Sequence, residues 1–353
     1  MSDSDSVEID RLDDAPHPRE TMRLAGHRDA EQILLNAYRS NRMHHAWIIG
    51  GEEGIGKATL AYRFARFILA NPNPDAAPVQ AANDLSVDPG VPAVRRVTQQ
   101  SHPDLFALRR GLNADRKNIA SETRVDEVRK LVSFFTTTAG EGGWRIAIVD
   151  TADDLNVNAA NALLKVLEEP PPRSLFLILS VAPKRLLPTI RSRCRTLLLK
   201  PLTNVEVLDV LEGLPGITGD TSPDELKRIS EVAEGSVRRA ASMLAEDSLA
   251  LRDVLAGMLE RLPNLEHAEI HGLAEKIAAR VGGQSFDLFL GFIQDWLHQR
   301  LTHGAQRGDA KLAAWAALWE KTARTAREAE TFNLDKRPLV LSIFSDLAAV
   351  TRG

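Results

Sequence analysis

The sequence predicts an α/β fold: a parallel sheet with helices on both faces, followed by an all-helical half. Three observations predict it. Short apolar runs such as Ile146 to Val149 and Leu175 to Leu179 have the length and composition of strands buried on both faces. Between them lie stretches whose apolar residues recur at helical spacing, such as Ala159, Leu163, Val166 and Leu167. That alternation of strand and helix calls for a parallel sheet wrapped by helices, whereas everything from Ser248 onward reads as helix.

Residues 1–20 are polar and acidic, with Asp3, Asp5, Glu8, Asp10, Asp13 and Asp14, and read as a disordered tail. Gly26 to Asn41 predicts a helix with Ala30, Ile33, Leu34 and Ala37 on one stripe. His45 to Gly50 is an apolar strand, and Leu60 to Leu69 a helix. Residues 71–100 hold Pro72, Pro74, Pro78, Pro89 and Pro92 among many alanines, and read as an inserted loop. Leu105 to Leu108 is a short strand, and the basic stretch Arg109 to Lys117 reads as a solvated surface. Arg124 to Phe135 places Val125, Val128, Leu131, Val132 and Phe135 on one helical face.

Ile146 to Val149 ends in Asp150, a carboxylate at a strand tip. The helix Asn156 to Glu168 is stopped by Pro170, Pro171 and Pro172. The strand Leu175 to Leu179 ends at Ser180, and Ser192-Arg193-Cys194 precedes a further strand, Thr196 to Leu199. Pro201-Leu202 leaves the sheet. Asn204 to Glu212 is helical, Gly213 to Pro223 is a break, and Asp224 to Ala245 gives two short helices parted at Gly235. Beyond Ser248, three stripes read as packing faces: Leu251, Val254, Leu255 and Met258; Phe286, Phe289, Leu290, Ile293 and Leu297; Leu312, Trp315, Leu318 and Trp319.

The chemistry begins after the first strand, at Gly51-Glu52-Glu53-Gly54-Ile55-Gly56-Lys57-Ala58-Thr59. The spacing G-x-x-x-x-G-K between a strand and a helix is that of a phosphate-binding loop. Glycines let backbone N–H groups turn onto phosphate oxygens, the helix start adds partial positive charge, and Lys57 reaches the β/γ-phosphates. In a parallel sheet, ligands sit at the carboxyl ends of strands, where Asp150 and Ser180 fall.

The loop, Asp150, the run NALLKVLEEPPPRSLFLILS and the Ser-Arg-Cys triplet together resemble the clamp-loader branch of the AAA+ ATPases. The likeness runs from about Gly26 to the C-terminus and is most specific from Asn161 to Cys194. It implies a AAA+ nucleotide-binding-like domain over residues 21–201, a helical lid over 202–247 and a helical collar over 248–353. It implies membership of a hetero-pentameric ring with motor and delta subunits, acting on a sliding clamp and primer-template DNA within a DNA polymerase holoenzyme. Many relatives of this kind carry a four-cysteine zinc module where residues 71–100 lie. This chain has the single cysteine Cys194, so no zinc is expected.

Two departures bear on activity. Ala58 follows Lys57 where the family has a Ser or Thr that holds Mg²⁺, and Thr59 is one place late, about 100° round the helix. Thr151 follows Asp150 where active members carry the glutamate that activates water. Gly51, Gly54, Gly56, Lys57, Ala58, Thr59 and Asp150 are therefore expected to hold ATP or ADP without turning it over. Arg238 matches the family's second sensor; the competing reading is a surface arginine paired with Glu234. Arg193 matches the arginine finger that enters a neighbour's ATP site, with a structural ion pair as the alternative. Arg191, Arg193, Arg195, Lys184 and Arg185 would offer a basic surface to DNA, read through phosphates without sequence preference. An active motor of the same ring, a stand-alone P-loop enzyme such as a kinase, and a pure scaffold are the competing functions.

The composition sets wider bounds. The chain has 353 residues, 44% of them hydrophobic, with 44 basic against 48 acidic side chains. A net charge of −4 does not suit a protein that binds DNA by itself. The N-terminus lacks a secretory pattern. No apolar run approaches the ~20 residues of a membrane span. The expectation is a soluble cytoplasmic protein.

Overall fold

The computed structural model describes residues 15–110, 122–136, 140, 143–219, 221–244, 246–278, 284–307, 311–332 and 334–352. The chain divides into two compact units, Met1–Ala241 and Ser242–Gly353. The helices expected to form a separate lid fall almost wholly within the first unit.

The first unit opens with helix α1 (Arg28–Arg39), strand β1 (Ala46–Gly50) and helix α2 (Lys57–Ala70). Helices α3 (Ala77–Ala81) and α4 (Pro92–Thr98) follow, then β2 (Leu105–Leu108) and α5 (Val125–Thr136). Next come β3 (Arg145–Val149), α6 (Val157–Glu168), β4 (Ser174–Ser180), α7 (Pro188–Arg191) and β5 (Arg195–Leu198). All strand pairs are parallel, in the order β2-β3-β4-β1-β5. The predicted parallel sheet with helices on both faces is thus present.

Alternation along the strands explains the two layers. Trp47, Ile49, Ile146, Ile148, Leu175, Leu177 and Leu179 point into one core with α1 and α2. Ala46, Ile48, Ala147, Val149, Phe176 and Ile178 point into the other with α5 and α6. Period-2 alternation buries both faces, which is why these strands read as unbroken apolar runs. Helix α6 starts where Asn156 accepts a hydrogen bond from the Ala159 amide, an ordinary N-cap.

Two expectations about order are corrected. Residues 15–20 belong by composition to the acidic tail, yet Ala15, His17 and Arg19 are buried. His17 meets Tyr62 edge-on at 5.8 Å. Arg66 donates to the carbonyls of Arg19 and Thr21, each at 2.6 Å, and Arg63 donates to Met22 at 2.5 Å. Two arginines of α2 thus satisfy a strand-less backbone, which composition does not register. Residues 1–14, the rest of the tail, lie outside the described residues.

The insert over 71–100 is likewise not a bare loop. It forms α3 and α4, each with a proline in its first turn, where a missing N–H costs nothing. Val79, Leu85, Val94 and Val97 are buried. Glu31 accepts hydrogen bonds from the Leu85 amide at 3.0 Å and from Arg63 at 2.6 Å, tying the insert to α1 and α2.

After the sheet come α8 (Asn204–Glu212), α9 (Pro215–Thr218), α10 (Pro223–Val232) and α11 (Val237–Leu244). Thr203 and Glu206 close a capping box on α8. The second unit is helical: α12 (Glu246–Glu260), α13 (His267–Ala278), α14 (Gln284–Arg307), α15 (Leu312–Phe332) and α16 (Lys336–Arg352). Leu255, Met258, Phe289, Ile293, Leu297, Trp315 and Phe344 form its core. Val254 and Trp319, expected on packing stripes, are exposed instead. No described helix is long and apolar enough to cross a membrane.

Candidate functional site

β1 lies between β4 and the edge strand β5, so the loop that follows it opens at the carboxyl edge of the sheet. Gly51, Gly54 and Gly56 take φ of 149°, 76° and 102° there, values that a side chain at the latter two would resist. Ile55 is fully buried beneath the loop. Across the outside, His27 Nε2 donates to the Ile55 carbonyl at 2.7 Å. The loop therefore delivers the first turn of α2 to a cavity of about 410 Å³.

Lys57, Ala58, Thr59, Asp150 and Arg238 all line that cavity, with Gly54 and Gly56. Gly51 forms the loop's start, and its carbonyl accepts from Lys57 Nζ at 2.8 Å; the Glu52 carbonyl accepts at 2.5 Å. Burial lowers the Lys57 ammonium from its ordinary value, opposed by the carboxylates of Asp150, Glu53, Asp153 and Glu52. The cradle thus holds its lysine folded onto its own carbonyls.

The side chains just after Asp150 are tied to one another and to the end of β4. Thr151 Oγ1 donates to Asp154 Oδ2 at 2.6 Å, and Arg110 Nε pairs with the same oxygen at 3.1 Å. Asp153 accepts from Ser180 Oγ at 2.9 Å and from the amides of Val181 and Ala182 at 2.8 and 3.1 Å. Its carboxylate closes the turn after β4. The residue directly after Asp150 is Thr151, a hydroxyl and not a carboxylate.

The start of α11 is fastened to the loop. Ser236 Oγ donates to the Glu53 carbonyl at 2.8 Å and the Val237 amide to the Gly54 carbonyl at 3.0 Å. A Cβ on Gly54 would come within 2.4 Å of Ser236 Oγ, so the glycine is needed for this approach. Arg238 lies 3.5 Å from Glu53, and it is Arg239 that pairs with Glu234, at 2.6 Å.

Arg193 is not brought to this cavity. It sits between α7 and β5, where Nη2 pairs with Glu168 at 2.7 Å and Nη1 donates to the Thr189 carbonyl at 2.9 Å. Nearby Arg191 donates to the Lys184 carbonyl, and Arg195 lies over the Trp47 ring at 5.9 Å. Cys194 packs against the core, and burial pushes its thiol up to about 12. Thiolate is the reactive form, so iodoacetamide at about pH 8 is expected to spare Cys194 in the folded chain and label it in urea. Intact-mass spectrometry checks this; rapid labelling of the folded chain would contradict it.

Sequence reasoning missed Arg109 and Arg110, which it left on a solvated surface. Both line the cavity, and Arg109 donates to the Tyr62 hydroxyl at 2.6 Å. The available signal was their place directly after a strand, at the ligand-binding edge of the sheet. Residues 111–117 of that basic stretch lie outside the described residues.

Comparison with known proteins agrees with this geometry. The family model described as DNA polymerase III, delta subunit, matches residues 26–203. The DNA polymerase III subunit delta' of Pseudomonas aeruginosa is 32% identical over 278 residues, 77% of this chain and 78% of the relative. The gamma subunit of Buchnera aphidicola is 26% identical over 262 residues, 71% of this chain and 66% of the relative. The delta' subunit of Bacillus subtilis is 28% identical over 220 residues, 62% of this chain and 59% of the relative. With the cradle, the parallel sheet and these matches in agreement, the chain belongs to the DNA polymerase III delta-subunit family.

Proposed function

We propose that this chain works as a delta'-type clamp-loader subunit: it completes the ring, supplies Arg193 to a neighbour's ATP site and does not hydrolyse ATP itself. The observation that carries the reading is a division within one unit. The chain's own cavity has Ala58 at the metal side and Thr151 tied to Asp154 at the base position, while Arg193 lies away from that cavity. A guanidinium is permanently charged and forked, which suits charge developing on a transferred phosphoryl group.

The cradle retains what nucleotide affinity needs. Gly51, Gly54 and Gly56 shape the loop, Lys57 sits at the start of α2, and Arg238 borders the same cavity. ATP or ADP would rest there without turnover. The motor and delta subunits, the sliding clamp and primer-template DNA are the partners this role requires. The basic residues Lys184, Arg185, Arg191 and Arg195 would contribute phosphate contacts once the ring is assembled. The lid and collar assignments, residues 202–247 and 248–353, belong to the same proposal.

The test is ATP turnover by the isolated chain beside the reconstituted loader with and without it. The isolated chain is expected to show no turnover, and omission to abolish clamp- and DNA-stimulated turnover by the motors. Turnover by the chain alone at the loader's rate would favour the motor reading. Phosphotransfer to a small acceptor would favour a stand-alone kinase.

A further inference from the structure

We propose that the cradle binds a nucleoside polyphosphate without a divalent cation, with Arg109 and Arg110 supplying the positive charge that Mg²⁺ supplies in hydrolysing P-loop sites. The inference rests on the reading that the cradle retains nucleotide affinity.

Mg²⁺ does not fit the residues present. The second residue of α2 is Ala58, a methyl where a hydroxyl would ligate the ion. Thr59 is one residue on, about 100° round the helix. Two of the nearby carboxylates are engaged elsewhere. Asp154 Oδ2 holds Thr151 and Arg110, and Asp153 uses both oxygens at the end of β4. Among the described residues, no group of three or more His, Cys, Asp or Glu side chains is placed to hold a metal.

Two guanidinium-bearing residues, Arg109 and Arg110, line the cavity that also holds Ala58. Ala58 and Tyr62 are four residues apart and so share one face of α2, about 6 Å apart along its axis. The fully buried Tyr62 has its hydroxyl bonded to Arg109 Nη2 at 2.6 Å, which fixes that guanidinium over this face. Arg110 comes from the same strand end and is held by Asp154 at 3.1 Å, beside Thr151. Both arginines line the cavity with Lys57 and Asp150.

A polyphosphate brings several negative charges, more than Lys57 and a helix terminus neutralise. A hydrolysing site adds a divalent ion that bridges the β- and γ-oxygens. Two guanidinium groups carry the same total charge and present planar forks of donors to phosphate oxygens. They neutralise the ligand but position no attacking water, so the substitution favours binding without turnover.

The test titrates a fluorescent ATP analogue, and ADP by calorimetry, into the full chain with EDTA and with excess Mg²⁺. Removing Mg²⁺ is expected to change Kd by less than about threefold. The Arg109→Gln/Arg110→Gln variant is expected to weaken binding in EDTA by about tenfold or more. Arg110→Gln alone, which leaves the Tyr62 contact intact, should weaken it by a smaller factor, and thermal melts establish that each variant is folded. A tenfold or greater loss on removing Mg²⁺ would overturn the proposal while leaving nucleotide affinity standing. So would folded variants that bind like the parent chain. An absence of binding in both conditions would overturn the proposal and the retained-nucleotide reading together.

Discussion

Replacing Arg193 by alanine is expected to lower DNA- and clamp-stimulated ATP turnover of the reconstituted loader by up to about 10³-fold, the lower end of what arginine fingers contribute. The chain itself should hardly notice. Arg193 pairs with a half-exposed Glu168 and donates hydrogen bonds to the Thr189 carbonyl of the preceding short helix and to Ser192 Oγ. Exposed pairs of this sort contribute less than about 1 kcal/mol, so a thermal melt of Arg193→Ala should track the parent. Arg193→Lys keeps a charge but loses the fork, and should restore only part of the turnover. The measurement is steady-state ATPase at matched complex concentration, with assembly checked by gel filtration. Unchanged turnover in an intact complex would leave Arg193 as a structural ion pair and the chain as a scaffold. A loss of turnover accompanied by a large fall in stability would point the same way.

The second large effect is expected in the insert. Glu31 is buried and its Oε1 takes both the Arg63 guanidinium and the Leu85 amide. Glu31→Leu would leave a nearly buried Arg63 with only the more distant Asp84 carboxylate, at 3.8 Å, and the Leu85 amide without its acceptor. Breaking one side of such a pair costs about 3 kcal/mol or more. The midpoint of urea unfolding of the full chain reads it. Adding Arg63→Met to the same variant removes the weakly paired charge and should recover part of the loss, although the Arg63 bond to the Met22 carbonyl and the Asp84 contact go with it. If the single variant is as stable as the parent, Glu31 does not anchor the insert, and apolar packing by Val79 and Val97 suffices. If the double variant falls by the sum of the two singles, the pair is uncoupled.

Much of the first unit was legible because its signals are local. A strand buried on both faces must be apolar at every position, so Ile146 to Val149 and Leu175 to Leu179 announce themselves without any neighbour. A phosphate loop needs glycine at set spacings before a lysine, and Gly51, Gly54, Gly56 and Lys57 show it in seven residues. Helix starts are equally local, as with Asn156 before α6. The prolines of residues 71–100 misled because the same residue breaks a helix interior and begins a helix first turn. Pro92 is at a first turn, with its side of the insert held by contacts more than fifty residues away in sequence, such as Glu31 to Leu85.

The sequence by itself determined the parallel sheet, the phosphate loop and the loss of a hydroxyl after Lys57, because each depends on residues within a few positions of one another. Only the tertiary structure decided that Arg66 and Arg63 hold the carbonyls of Arg19, Thr21 and Met22, that α11 is fastened to Glu53 and Gly54, and that Arg109 and Arg110 line the cavity. It also decided that Glu234 belongs to Arg239, leaving Arg238 to face Glu53. These features join backbone carbonyls and long charged side chains far apart along the chain. A long side chain can reach several partners, and an amide or carbonyl looks the same at every residue. Which of them meet is set by where the packed sheet and helices place them, after burial has fixed the layers.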